Sequence, residues 1–250
     1  FWRQIFFSII IALYLLASYK KNFFKKFYDS GLPGFIAGVA LSVGFAAYVF
    51  AMYTTTVANT NFIITTETIF LAFIGYFFLK EKINLITLIS IILGMSGVLL
   101  ILASSLSIQS SEQFIGNLVA FIMPLAFAVL ILIVRKYPKV DMVPAQFTAG
   151  ILAAIIGFII AGKLSISFHD LMLALLAGFF QIGFGFILIT VGSQTTPAAV
   201  VGVLMLTESV FGPFWAWLFI NEVPPISVIF GGGVIIFSIL LQSFFGKKSL

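Results

Sequence analysis

The sequence predicts an all-α polytopic membrane protein with nine transmembrane helices. The first observation is composition: 62% of the 250 residues are hydrophobic and 8% are charged, whereas a soluble domain carries about 25% charged residues. The second is the length of the apolar runs, because a helix needs about 20 residues to cross a hydrocarbon core of about 30 Å. The third is that no run alternates polar and apolar residues in the manner of a transmembrane β-strand. A helical integral membrane protein follows.

The nine segments are bounded by charges, prolines or polar clusters that interrupt the apolar runs. They are, in chain order, Gln4 to Ser18, Pro33 to Met52, Val57 to Leu79, Asn84 to Ala103, Phe114 to Val134, Ala145 to Ala161, Leu171 to Val191, Pro197 to Ile220 and Pro225 to Phe245. The first and sixth are short for a span, yet each is followed by a charged or turn-rich stretch typical of a loop. The first also lacks the cleavage site of a signal peptide, so it is predicted to belong to the folded protein.

Lysine and arginine are divided unequally between the two sets of loops. If the carboxyl terminus is cytoplasmic, the external face carries only Arg3 and Lys163 of the 13 cations. The other face carries Lys20, Lys21, Lys25, Lys26, Lys80, Lys82, Arg135, Lys136, Lys139, Lys247 and Lys248. Short cytoplasmic loops accumulate such residues, so the split supports nine helices in a cytoplasmic (inner) membrane. A membrane face also accounts for the net charge of +5 without a nucleic-acid partner.

An internal repeat is visible at an offset of 141 positions, which aligns residues 32–103 with 173–244 without a gap. The matches include the pairs Gly44 and Gly185, Thr55 and Thr196, Thr66 and Thr207, Glu67 and Glu208, Phe73 and Phe214, and Glu81 and Glu222. In this register the helix from Phe114 to Val134 has no counterpart, so one helix is expected to be absent from the first copy.

The repeat defines the expected domains. Residues 1–103 form a first copy with four helices, residues 104–113 an external linker, and residues 114–250 a second copy with five. An odd number of helices in each original copy inserts the second copy upside down relative to the first. This is the inverted repeat typical of transporters, whose substrate site lies near the membrane midplane.

Glu67 and Glu208 lie in the middle of apolar segments and are the main candidates for a functional site. A charged side chain at the bilayer centre costs roughly 2.5 to 3.5 kcal/mol on insertion scales, so its presence indicates function by default. Each carboxylate could bind a cationic or amine-bearing substrate, or take up a proton and couple transport to a proton gradient. The alternative is that both accept hydrogen bonds and fix helix packing. For Glu81 and Glu222, at the water interface, a capping or loop role is predicted.

Four further residues are candidates for the same site. The amides of Gln146 and Gln181 could hydrogen-bond a substrate, with bonding between helices as the alternative. Tyr48 and Trp215 could form an aromatic cavity wall or hold a cation, with packing against helices or lipid as the alternative.

Enzyme functions lack the residues that they need. No nucleophile with a base and no set of metal ligands is evident, and the chain has no cysteine. The only histidine, His169, lies beside Asp170 at a predicted helix start, where Ser167 and Asp170 form a capping pattern. A GxxxxGK phosphate loop is missing as well. We therefore predict no catalytic residue, metal or cofactor, and expect energy to come from a gradient or from the substrate itself.

The chain resembles the EamA branch of the drug/metabolite transporter superfamily. The resemblance is carried by residues 77–82, by residues 204–222 and by the glycine-bearing helix after each, and it covers essentially the whole chain. It implies ten helices in two copies of five, and the first of the ten helices is missing here. It also implies alternating-access transport of small solutes, often amino acids or other metabolites and often outward.

These arguments predict a secondary transporter that exports small polar metabolites, such as amino acids or drug-like solutes, with protons as the candidate coupling ion. Its partners are the small-molecule substrate and the lipid bilayer. The alternative is a membrane scaffold or partner subunit that transports nothing and in which the buried glutamates are structural.

Overall fold

The computed structural model describes residues 1–102, 110–221 and 223–246. Within these ranges, eight helical stretches are long and apolar enough to cross a membrane. The predicted fold class, an all-α polytopic membrane protein, is confirmed. The count differs by one from the predicted nine because Trp2–Thr54 is a single stretch that contains the first two predicted spans. Most of the predicted linker, Glu222, Lys247 and Lys248 lie outside the described residues.

The helices follow the predicted segments closely. They are α1 (Trp2–Tyr19), α2 (Phe23–Thr54), α3 (Val57–Thr65), α4 (Glu67–Phe77), α5 (Leu85–Leu102), α6 (Ser111–Ala120), α7 (Ile122–Lys136), α8 (Val143–Ile160), α9 (Phe168–Leu176), α10 (Gly185–Ser193), α11 (Ala198–Met205), α12 (Thr207–Ile220) and α13 (Ile226–Phe245). A short 3₁₀ turn (Lys20–Asn22) precedes α2, and a π-helical stretch (Ala177–Phe184) joins α9 to α10.

Between the first two spans the backbone leaves helical geometry twice, at Lys20 after α1, where φ is 45°, and at Gly31 near the start of α2. Gly31 has φ 53° and ψ −154°, a backbone conformation outside the helical region. Glycine adopts positive φ without the clash that a Cβ would cause. Pro33, two residues later, lacks the N–H that a continuing helix would use. The membrane-crossing part of α2 therefore begins near Pro33, where the sequence predicted it.

Three other spans consist of two helices separated by a single residue. The interruptions fall at Thr66 between α3 and α4, at Phe121 between α6 and α7, and at Leu206 between α11 and α12. At each interruption the backbone N–H donates to the carbonyl three residues earlier, as in a 3₁₀ turn. The residues at the three turns keep right-handed helical φ and ψ angles, so each span continues through its turn.

The chain divides into two compact units, of which the first contains residues 1–47 and 129–195. Here α1 runs antiparallel to α8, because Gly150 faces Phe7 and Ser8 while Gly157 faces Phe1. A Cβ at Gly157 would lie 3.2 Å from the Phe1 Cα. The two helices thus pack with their backbones close together, as small residues allow in membrane proteins.

Aromatic and polar contacts hold the rest of this first unit together. The Phe45 ring meets the Phe7 and Phe186 rings edge to face, with centroids 5.5 and 5.4 Å apart. At the ends of the helices, the Tyr19 hydroxyl donates to Asp141 Oδ2 over 2.7 Å. Asp141 Oδ1 accepts the N–H of Val143, the first residue of α8, at 2.9 Å and so satisfies a donor that a helix start leaves without an intrahelical acceptor. The end of α1 is thereby tied to the beginning of α8.

The predicted cap before α9 is confirmed. The Ser167 Oγ accepts the N–H of Asp170 at 3.0 Å and donates to the Asp170 carboxylate over 2.7 Å. His169 lies in the same first turn and is exposed. This geometry supports the structural role that the sequence predicted for the Ser167 and Asp170 pair.

The second unit contains residues 48–128 and 196–250. Its largest helix pair is α5 with α13, which cross where Gly97 meets Gly231. A Cβ at Gly97 would lie 2.8 Å from the Gly231 carbonyl oxygen, and a Cβ at Gly231 would lie 2.6 Å from the Gly97 carbonyl oxygen. Val98, Leu206 and Ile235 form a buried apolar cluster beside this crossing. Helices α3, α4, α11 and α12 belong to the same unit.

Candidate functional site

Glu67 opens the second half of an interrupted span. It is the first residue of α4 and only 5% exposed. The Thr66 hydroxyl, immediately before it, donates to the Ile63 carbonyl over 2.5 Å, and the Thr66 N–H donates to the same oxygen over 3.1 Å. Two bonds to one carbonyl tighten the turn and place the carboxylate in the first turn of α4, in the interior of the span.

Glu208 occupies the corresponding place in the other interrupted span. It is the second residue of α12 and follows Thr207, whose hydroxyl donates to the Leu204 carbonyl over 2.5 Å. The neighbouring N–H of Leu206 donates to the Val203 carbonyl over 3.3 Å. In the first span the back-bonded threonine is itself the turn residue, in the second it follows the turn at Leu206, and in both the glutamate comes directly after the threonine. In contrast to Glu67, Glu208 is exposed.

Both glutamates belong to the second unit. Between them, α4 packs directly against α11. The Thr68 hydroxyl donates to the Gly202 carbonyl over 3.0 Å, and a Cβ at Gly202 would lie 2.8 Å from the Thr68 Cα. The residue after Glu67 thus lies in backbone contact with the half-helix that leads to Glu208.

Glu81 closes the far end of this pair of half-helices. Its Oε2 accepts the N–H of Ala198, the first residue of α11, at 2.8 Å. Its own N–H donates to the Gly75 carbonyl over 2.8 Å. The predicted capping role is confirmed for Glu81, because the carboxylate satisfies an N–H that the start of a helix leaves without an intrahelical acceptor. Together with the contact at Thr68, this cap shows that α4 and α11 run antiparallel.

The aromatic candidates lie in the same unit as the glutamates. Trp215 is 47% exposed and lies about two helical turns beyond Glu208 on α12. Its ring stacks on Phe211, with centroids 6.2 Å apart, and on Phe219, with centroids 5.6 Å apart. These three residues form an aromatic ladder on α12. Tyr48, near the end of α2, is partly buried.

The two glutamine candidates lie in the first unit. Gln146, in the first turns of α8, is fully buried, and its Nε2 donates to the Phe186 carbonyl over 2.7 Å and to the Thr190 hydroxyl. Its Oε1 has no hydrogen-bond partner within the part of the chain that the structure describes. Gln181 is exposed and lies within the π-helical stretch. The Gln146 amide therefore bonds between helices through its nitrogen.

Sequence reasoning missed the threonines and the glycine that shape the site. In the sequence, Thr66 and Thr207 are only a matching pair at the 141 offset, although the hydroxyl of each bonds to the carbonyl three residues earlier, just before a glutamate. The pairing of Thr68 with Gly202 joins positions 134 residues apart and left no local signal. The repeated Thr-Glu dipeptide was the one available clue.

Two membrane helices that carry carboxylates at matching positions are typical of membrane transporters. That is the class which the fold and the site define. Comparison with known families agrees: the EamA-like transporter family matches residues 1–103 and 114–244. The chain belongs to this family and is a membrane transporter.

Two curated relatives are named as uncharacterized transporters. One, from Clostridium kluyveri, is 24% identical over 231 residues, which cover 88% of this chain and 74% of the relative. The other, from Methanothermobacter thermautotrophicus, is 25% identical over 184 residues, which cover 71% of this chain and 53% of the relative. A solved crystal structure is similar over 97% of this chain and 98% of its own, with a TM-score of 0.69 and 13% identity. At that identity the likeness shows the fold alone.

Proposed function

We propose that the protein is a secondary transporter that exports small polar metabolites, such as amino acids or drug-like solutes, across the cytoplasmic membrane by alternating access. Glu67 and Glu208 receive the amine or cationic group of the substrate, or the proton that is exchanged for it. The carboxyl terminus is cytoplasmic in this proposal, as the division of lysines and arginines favours.

One observation carries the proposal: each carboxylate lies in the first turn of the second half of an interrupted membrane helix. Secondary transporters place substrate and ion sites near the midplane where the helical backbone departs from regular geometry, and the 3₁₀ turn before each glutamate is a small departure of that sort. A purely structural pair of glutamates would be expected to hydrogen-bond inside the protein. Glu208 is instead exposed, which supports a role toward something other than the protein.

The exposure of Glu208 also indicates what lies beside it. A carboxylate turned toward lipid at the bilayer centre costs roughly 2.5 to 3.5 kcal/mol on insertion scales, and such groups usually face a bundle interior or a water-filled cavity. We therefore place Glu208 in a water-filled opening. The stacked rings of Phe211, Trp215 and Phe219 on the same helix would offer faces to an organic cation or an apolar side chain that enters the opening.

The test is flux into proteoliposomes that contain the purified protein, measured with a panel of radiolabelled amino acids and cationic drugs. Glu208→Gln keeps the shape of the side chain and removes its charge, so we expect it to lower flux at least tenfold. The matched control is Glu112→Gln, because Glu112 is an exposed carboxylate in the first turn of α6, and its flux should equal that of the wild type.

Two outcomes would contradict the proposal. If no substrate in the panel moves in the wild type, the scaffold alternative is favoured, since it retains the fold without transport. If flux occurs but Glu208→Gln is unaffected, transport stands and the role of the carboxylate is wrong. Imposing a pH gradient on the same vesicles tests the coupling ion, and a flux that ignores the gradient excludes protons.

A further inference from the structure

We propose that Thr68 with Gly202, and Ser209 with Asn61, are two alternating gates of the second unit, of which the structure shows the first closed and the second open. In the opposite state the second pair packs together, the first separates, and Glu67 and Glu208 exchange their burial. This inference rests on the proposed function and names the residues that control access to its site.

The closed gate is defined by contacts along α4 and α11. Thr68 is 0% exposed and bonds to the Gly202 carbonyl, and the two backbones touch at this point. Further along, a Cβ at Gly75 would lie 3.3 Å from the Ala198 Cβ, next to the cap by Glu81. Helices α4 and α11 are therefore in close contact from Thr68 to Gly75, and Glu67, next to this contact, is buried.

The 141 offset identifies a second set of positions that could make the same contacts. Thr68 corresponds to Ser209, Gly202 to Asn61, and Ala198 to Val57. These positions belong to α3 and α12, which lead toward the other end of the two interrupted spans. A hydroxyl at position 209 preserves the donor that Thr68 uses in the closed gate.

The second set is open in the structure. Asn61 is exposed, Val57 is 54% exposed, and Ser209 is partly exposed. A Cβ at Gly212, which corresponds to the fully buried Leu71, would meet nothing within 4 Å. Equivalent positions thus differ in packing, and the half-helix that carries Glu208 lies apart from the half-helix that carries Asn61.

Antiparallel half-helices place the two gates toward opposite ends of the spans. If the copies insert in opposite orientations, as the offset predicts, the packing that one copy shows is available to the other. Closing α3 on α12 would let the Ser209 hydroxyl donate to the Asn61 backbone carbonyl or amide side chain. Separating α4 from α11 would expose Glu67 in turn. The exposed carboxylate would then face the other side of the membrane.

The absence of native cysteines allows the gates to be tested with single and paired cysteine variants. In sealed vesicles of both orientations, a charged, membrane-impermeant thiol reagent should label Glu208→Cys from one side at least tenfold faster than it labels Glu67→Cys. Gly202→Val, which pushes a side chain into the Thr68 backbone, should open the first gate. In that background Glu67→Cys should label from the opposite side, and Glu208→Cys should slow.

Cross-linking tests the contacts directly. Gly75→Cys with Ala198→Cys places two Cβ atoms near the separation of about 3.5 to 4.5 Å found in disulfides, so an oxidant should join them rapidly and stop flux until a reductant is added. Asn61→Cys with Ser209→Cys should cross-link slowly with a short bifunctional thiol reagent. In the Gly202→Val background this yield should rise severalfold.

The outcomes separate the gates from the proposed function. Two results would overturn the gates: Glu67→Cys stays protected from both sides in every background, and the cross-linking yield of Asn61→Cys with Ser209→Cys does not change. If the wild type still shows flux, transport stands. Exchange of labelling without flux of any substrate would support the gates and contradict transport. Labelling of both glutamate positions from the same side would also overturn the gates.

Discussion

The two interrupted spans, Val57–Phe77 and Ala198–Phe219, are alike in sequence and unlike in packing. Each breaks just before or at a threonine whose hydroxyl bonds to the carbonyl three residues back, and each then presents a glutamate. The carboxylate of the first span is buried, while that of the second is exposed. The difference teaches that the local turn is encoded in the residues, whereas burial depends on which half-helix packs against the span.

The physical cause of the difference lies in one close approach. Gly202 lets the α11 backbone reach the α4 backbone, and the Thr68 hydroxyl then reaches the Gly202 carbonyl. The corresponding approach between α3 and α12 would place the larger Asn61 at the contact. A bulkier residue holds two helices further apart, so the second pair is expected to keep a wider separation than the first when it packs together in the opposite state.

The largest expected loss of stability comes from Gly202→Ala, which changes the close approach of α4 and α11. The added Cβ would lie 2.8 Å from the Thr68 Cα, and overpacking of this kind costs about 1 to 3 kcal/mol. We expect a lower midpoint of thermal unfolding in detergent. The control is Gly233→Ala in α13, where a Cβ would meet nothing within 4 Å, and its midpoint should be unchanged or higher. Equal losses in both variants would contradict the role of the contact.

The next largest expected loss of stability is that of Glu81→Ala. The substitution removes the carboxylate that caps Ala198, and the loss of a capping side chain costs about 0.5 to 2 kcal/mol. Glu81→Gln keeps a side-chain oxygen as acceptor, so it should lose less. Thermal unfolding of both variants measures the difference. A glutamine variant as unstable as the alanine variant would show that the charge, rather than the hydrogen bond, stabilises the start of α11.

The smallest expected effect is the difference in stability between Thr68→Val and Ser209→Ala. Valine keeps the shape of Thr68 but loses the hydrogen bond to Gly202, worth about 0.5 to 1.5 kcal/mol. Ser209 is partly exposed, and substitution there should change stability by less than about 0.5 kcal/mol. Unfolding of the two purified variants under identical conditions gives the comparison. A larger loss for Ser209→Ala would indicate that α12 is packed as firmly as α4.

Much of the fold follows from the sequence because a bilayer leaves a helix few alternatives. Every backbone N–H and C=O in the hydrocarbon region must be satisfied within the segment, so apolar length alone predicted the spans. The helix boundaries at Val57 and Phe245 agree with the predicted ones to the residue. The Trp2–Thr54 stretch was the exception in the count, since the backbone departs from helical geometry at Lys20 and Gly31 without a non-helical loop between the two predicted spans.

The site was predictable in part. The cost of an intramembrane carboxylate identified Glu67 and Glu208, and the offset of 141 related them. The contact of Thr68 with Gly202 was beyond sequence reasoning, because a glycine has no side chain to indicate its partner and the pair is far apart in the chain. The division of Gln146 and Trp215 between two compact units was likewise invisible, since units here are assembled from distant segments of both halves.

The crossing of α5 and α13 at Gly97 and Gly231 constrains how the second unit can deform. The carbonyl oxygen of each glycine lies close to the opposing glycine, and neither glycine has a side chain that would separate the two backbones. Such a junction resists sliding, since any axial shift drives Ile101 or Ile235 into the facing chain, but it tolerates rotation about the point of contact. We therefore expect α5 and α13 to rotate about the glycine contact, changing their crossing angle, more readily than they slide along each other.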